Sequence, residues 1–95
     1  MNITSASIVP TTSARRYMSQ LVKHFGHRTE AGLAGETGHI DFGFGRCELA
    51  ARPNGLVLKA AAEDEAALVR LEDVVARHLQ RFAFREPLQV GWVRT

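Results

Sequence analysis

Residues 39–60 read HIDFGFGRCELAARPNGLVLKA. Three alternating runs lie in this stretch, separated by two turn signals. His39-Ile40-Asp41-Phe42 alternates with Ile40 and Phe42 on one side, and Gly43-Phe44-Gly45 is a glycine-framed connection. Residues 46–51 alternate again, Pro53-Asn54-Gly55 is a turn, and Leu56-Val57-Leu58-Lys59-Ala60 forms the third run. Period-two alternation sends successive side chains to opposite faces of a strand. Short turns rich in Gly, Pro and Asn join antiparallel neighbours. The stretch therefore reads as an antiparallel meander. Cys47 and Leu49 share the face that meets the helices, whereas Arg46, Glu48 and Lys59, with Gln89 further on, populate the other.

A helix follows the meander. It begins near Glu63–Glu65, ends near Phe82 or Phe84, and carries the apolar stripe Leu68, Leu71, Val75, His78, Leu79 and Phe82. Acidic Glu63-Asp64-Glu65 at its start and Arg77, Arg81 and Arg85 towards its end match the helix macrodipole. Pro87 disfavours helical geometry at Glu86, and Leu88, Val90 and Trp92 alternate in a last strand. Before the meander, residues 28–38 (RTEAGLAGETG) hold three glycines and read as a loop. An earlier helix carries Ala14, Tyr17, Met18, Leu21, Val22 and Phe25 at three-to-four spacing. Thr11-Thr12-Ser13 offers it N-cap oxygens, and Gly26 is placed to end it in a left-handed conformation. Residues 3–9, rich in β-branched side chains and stopped by Pro10, read as the first strand. The expected fold is α+β, a two-layer sandwich of order β-α-β-β-β-α-β. Its sheet is mainly antiparallel, with both helices packed on one face.

With 95 residues the chain forms one domain, residues 1–95. Its 45% hydrophobic and 23% charged residues exclude a disordered chain. A single cysteine excludes a fold held by internal disulfides. No apolar run approaches membrane-spanning length, and MNITSASIVP lacks the pattern of a signal peptide, so no membrane partner is expected and the expected location is the cytoplasm. The formal charge of +2 does not by itself imply a nucleic-acid partner. Arg15, Arg16, Lys23 and Arg28 nevertheless stand in an opening stretch of 28 residues without an acid, which makes the basic first helix the one nucleic-acid candidate.

His24, His27, Cys47 and His78 are the candidate metal ligands. His24 and His27 are three apart at the end of the first helix, and His78 falls inside the second helix's apolar stripe. Imidazole is the commonest side-chain metal ligand, and with a thiolate it suits zinc, copper or haem iron. No CxxC or HExxH spacing accompanies them, so the sequence requires no cofactor. The alternative reading is two surface or boundary histidines, a core histidine bonded to backbone or to a carboxylate, and a buried cysteine acting as a small hydrophobe. Arg81, Phe84 and Arg85 form a second candidate, an anion or aromatic-ligand pocket in the segment Arg81-Phe82-Ala83-Phe84-Arg85-Glu86. Against it stands a structural reading, with Phe84 under the last strand and Arg85 paired to Glu86 or a neighbouring carboxylate. Gly43-Phe44-Gly45 leads into a strand, unlike a phosphate-cradling loop, which opens a helix. Ser5, Ser7, Ser13 and Ser19 lack an elbow motif.

The segments Lys23-His24-Phe25-Gly26-His27, Gly45-Arg46-Cys47-Glu48-Leu49 and residues 77–86 together resemble a small bacterial family catalogued as domain of unknown function 2218. The resemblance runs from about Ser5 to Trp92 and keeps the order of elements. Some members of that family stand beside, or joined to, flavin-dependent siderophore-interacting reductase domains, which implies a role in bacterial iron handling and such a reductase as partner. Some carry an aldolase label, which the chain's length and its only lysines, Lys23 and Lys59, argue against. The leading reading is a small non-catalytic binding or accessory module, which the resemblance ties to siderophore iron. The alternatives are a zinc- or haem-binding protein using the His/Cys set, and nucleic-acid binding through the first helix. A homodimer is a further expectation, since a sheet with helices on one face leaves the other face and its edges to be accounted for.

Overall fold

The computed structural model describes residues 2–95, as two helices on one face of a six-stranded antiparallel sheet. In chain order the elements are β1 (Ile3–Pro10), α1 (Ala14–Phe25), β2 (Glu30–Ala34), β3 (Thr37–Asp41), β4 (Gly45–Arg52), β5 (Gly55–Ala62), α2 (Glu65–Phe82) and β6 (Val93–Arg94). The spatial order is β2-β3-β4-β5-β1-β6, so the meander is a four-strand unit closed by the N-terminal strand. Among the described residues no helix is long and apolar enough to cross a membrane.

Alternation decides which side is the core. Ser5, Ser7 and Val9 of β1, Cys47, Leu49 and Ala51 of β4, and Leu56, Leu58, Ala60 and Ala62 of β5 are all buried under the helices. From α1 they meet Tyr17, Met18, Leu21 and Val22, and from α2 Leu68, Leu71, Val75 and Leu79. Leu71 and Leu79 are wholly buried, and burial of a side chain of this size contributes about 1.5–3 kcal/mol. At Gly45 the α2 side chains come into close contact with the strand backbone. A Cβ there would lie 3.0 Å from both the Ala61 carbonyl oxygen and Leu71 Cδ2.

Several local expectations are corrected. Residues 28–38 are not a loop, because they contain β2 and the start of β3. Gly35, at φ 64°, turns the chain between them, and Ala31 and Leu33 pair with Ile40 and Gly38. Gly26 does not adopt a left-handed conformation (φ −63°). The α1 end is closed instead by Thr29, whose N–H and hydroxyl both donate to the Phe25 carbonyl at 2.8 and 2.7 Å. Ser13 occupies the α1 N-cap position without a side-chain cap, and its own N–H donates to Thr11 Oγ1 at 3.0 Å. In α2 the cap is conventional, with Asp64 Oδ1 accepting from Ala67 N at 2.8 Å.

The last strand is also shorter than expected. Leu88 is buried and Val90 and Trp92 pack on the core, but only Val93–Arg94 pairs, with Ala6 and Ser5. The physical reason is that the preceding segment is anchored to the helices. Glu86 Oε1 accepts from Tyr17 Oη at 2.8 Å and from Thr11 Oγ1 at 3.1 Å. Gln80 Nε2 reaches the Leu88 carbonyl at 3.4 Å. Gln89 therefore lies outside the sheet, whereas Arg46, Glu48 and Lys59 stand exposed on its open face as expected.

Candidate ligand site at the histidine end

One end of the molecule gathers side chains from three elements. The last turn of α1 supplies His24 and Phe25, α2 supplies Arg70, His78 and Phe82, and the β3–β4 connection supplies Phe42 and Phe44. The His24 ring lies 5.1 Å from the His78 ring, 4.9 Å from Phe25 and 5.5 Å from Phe82, between centroids. Phe25 in turn lies 4.8 Å from His78 and 4.9 Å from Phe42, which is 5.7 Å from Phe44. The Arg70 guanidinium caps this row, 4.0 Å above the Phe44 ring.

His78 is fixed in one tautomer. Its Nδ1 lies 2.7 Å from the Val74 carbonyl oxygen, an atom that only accepts, so Nδ1 carries the proton. In the neutral ring Nε2 then keeps its lone pair, free for a proton, a donor or a metal. His24 is exposed and its pKa is lowered. Desolvation is the leading cause, followed by the positive charges of His78, Arg28, His27 and Arg81. No carboxylate is among the groups that act on His24.

The structure thus brings together part of each candidate set. His24 and His78 are neighbours, and His27, in the exposed turn after α1, contributes its charge. Cys47 does not join them. It is wholly buried on the inner face of β4, with its thiol pushed up to about 12 by desolvation, which leaves no thiolate at neutral pH. Among the described residues no three of His, Cys, Asp and Glu form a group that could hold a metal ion. Arg81 belongs to the histidine end, but Phe84 stands exposed with the Arg85 guanidinium 5.4 Å from its ring centroid. Neither part of the structural reading of that segment is found. Phe84 is not under a strand, and Glu86 is bonded to Tyr17 and Thr11. The basic residues of the first helix are divided, Arg15 and Arg16 in its first turn and Lys23 in its last, roughly 10 Å further along the axis.

The aromatic row itself was not read from the sequence. Arg70, Val74, His78 and Phe82 recur at four-residue spacing, a stripe beside the core stripe of α2 that periodicity does carry. Phe42 and Phe44 are brought to it only by the β3–β4 connection, where Gly43 at φ 88° donates to Asp41 Oδ1.

A family model described as an uncharacterized protein conserved in bacteria, DUF2218, matches residues 6–93. The chain belongs to this family. It is also 44% identical to PA4090 from Pseudomonas aeruginosa, a structure determined by NMR, with a TM-score of 0.82 over 96% of this chain and 95% of that one. No curated protein matches the chain.

Proposed function

We propose that the chain is a small non-catalytic binding module whose ligand is an anion bearing a flat ring, taken up at the histidine end. One observation carries the reading: the His24 ring packs edge-on against Phe25 and Phe82, at 4.9 and 5.5 Å, with the guanidiniums of Arg28 and Arg81 close enough to act on it. Arg28 and Arg81 supply fork-shaped donors for oxyanions, and the faces of His24 and Phe82 supply stacking surface. The family resemblance supports a finer version. Beside a siderophore-interacting reductase in the cytoplasm, the anion would be a ferric catecholate, whose aromatic rings and negative charge match both halves of the surface.

NMR titration with iron(III) complexed by 2,3-dihydroxybenzoate, and with the gallium(III) complex as its diamagnetic counterpart, tests this. Shifts confined to His24, Arg28, His78 and Arg81 are expected, weakening with salt and abolished in Arg81→Ala. The absence of shifts at about 1 mM complex, the scale of a negligible affinity, would overturn it.

A second reading, a metal held by His24 and His78, is favoured by the Nδ1–H bond of His78, the arrangement that orients metal-binding imidazoles. Two protein ligands leave the remaining positions to an incoming molecule. Zinc or cobalt titration separates the readings, because a metal alone would shift both imidazoles without any anion.

A further inference from the structure

The open face of the sheet has a symmetry of its own. Across β4 and β5 the outward residues pair as Arg46 with Ala61, Glu48 with Lys59, Ala50 with Val57 and Arg52 with Gly55. Each row sets a larger side chain beside a smaller one or an acid beside a base. These two strands are the middle pair of the sheet order. Yet the ion pairs among the described residues, His39–Glu30, Arg77–Asp73 and Arg94–Glu65, include none of Arg46, Glu48, Arg52 or Lys59. Hollows of about 530 and 450 Å³ border Arg46, Glu48 and Lys59, so these side chains have room to extend away from their own sheet. On one flank Ile8 (72% exposed) lies beside Val57, and Val93 (68% exposed) lies on the next strand beside Ala6, so the exposed apolar side chains adjoin one another on this face.

We propose that this face docks on the same face of a second copy, about a two-fold axis running along the strands between β4 and β5. That operation lays β4 on the partner's β5. Glu48 then meets the partner's Lys59, and Lys59 meets the partner's Glu48, giving two reciprocal ion pairs at the centre. The same step sets Arg46 over the partner's Ala61 and Val57 over the partner's Ala50, so large faces small throughout the middle rows. It also covers Ile8 with the partner's Thr37 and Val93 with the partner's Gly32, by the register of the outer strands. Aligned stacking of two twisted sheets is an ordinary packing mode. Strand spacing and rise give the face roughly 500 Å² per copy, or about 1,000 Å² in all, the lower limit of a specific interface. The association is therefore a concentration-dependent dimer, and it leaves the histidine ends free.

Sedimentation equilibrium and multi-angle light scattering of the full chain test the arrangement. The wild type is expected to approach twice the monomer mass between about 10 µM and 1 mM, the range of a small interface. Lys59→Glu and Glu48→Lys each place like charges across the axis and are expected to weaken dimerisation at least about tenfold. The double exchange restores opposite charges and is expected to restore the dimer. Circular dichroism melting of each variant separates loss of fold from loss of association. If Lys59→Glu does not fold, Ala50→Lys, which fills the hollow meeting the partner's Val57, carries the same test. A wild type that stays monomeric to 1 mM overturns the proposal, as does a dimer that folded single variants leave unchanged, since some other surface would then hold it.

Discussion

His78 holds its ring against His24 through a bond to its own helix, the Nδ1–H donating to the carbonyl of Val74, while His24 comes from the last turn of the other helix. The two imidazoles thus face each other across the helix–helix junction with one ring fixed and the other open to solvent. A proton on His24 is disfavoured first by desolvation and then by His78, Arg28, His27 and Arg81 around it.

His24 is accordingly expected to titrate below the usual 6.5, because desolvation by the side chains packed around it and these cations disfavour its charged form. The unfolded chain then binds the proton more readily than the folded one. Stability is therefore full above about pH 6.5 and declines as pH falls through the folded value. Proton NMR of the ring resonances gives the order of titration. His78→Gln is expected to move His24 upward, and an unchanged His24 in that variant would remove the coupling.

Cys47 is expected to be silent towards thiol reagents in the native protein and to react on unfolding. Burial pushes its thiol up from 9.0 to about 12, so the unfolded chain ionises first. The stability due to this thiol is present below about pH 9 and is lost as pH rises towards 12. Reaction with a chromogenic disulfide at pH 8, with and without denaturant, measures the protection. Cys47→Ser, which buries a hydroxyl in the same space, is expected to cost about 1–3 kcal/mol in urea melts.

Glu86 is expected to matter more than its place after a helix suggests. Its carboxylate accepts from Tyr17 and Thr11 and so ties the chain beyond α2 to the start of α1. Glu86→Ala leaves a buried phenol and a buried hydroxyl without that partner, at an expected cost of about 1–3 kcal/mol. The same bond raises the Tyr17 pKa, so tyrosinate absorbance is expected to appear at lower pH in Glu86→Gln.

Ser7 is the opposite case. Its hydroxyl is buried with no hydrogen-bond partner, whereas Ser5 on the same face donates to Glu72 Oε2 at 2.6 Å. Ser7→Ala is expected to raise stability by up to about 1 kcal/mol, and Ser5→Ala to lower it, leaving Glu72 short of a donor. Parallel thermal melts of the two variants decide this.

Alternation at residues 39–60 made the meander, its inward Cys47 and its outward Glu48 and Lys59 legible without coordinates. β2 was hidden because Glu30–Ala34 and its turn carry two glycines and little apolar pattern, and only pairing with β3 makes it a strand. The end of the chain misled for a different reason. Leu88, Val90 and Trp92 alternate as a strand would, but Glu86 and Gln80 hold their backbone to the helices. At the site, each histidine was visible singly. That His24 and His78 meet while Cys47 stays apart follows from how the helices cross the sheet, which no local spacing encodes.

The position of β1 also bears on how the molecule assembles. Residues 30–62 are joined by turns of two or three residues and can zip up locally, strand after strand. β1 is made before any of them, yet its neighbours are β5, whose partner positions begin at Gly55, and β6 at Val93. Until those arrive, Val9 and its inward neighbours have nothing to pair with. Pairing β1 with β5 therefore closes a longer loop than any step inside the meander, at a correspondingly larger entropic cost. The strand that precedes the meander thus closes the edge its final strand would otherwise leave open to pairing with another chain.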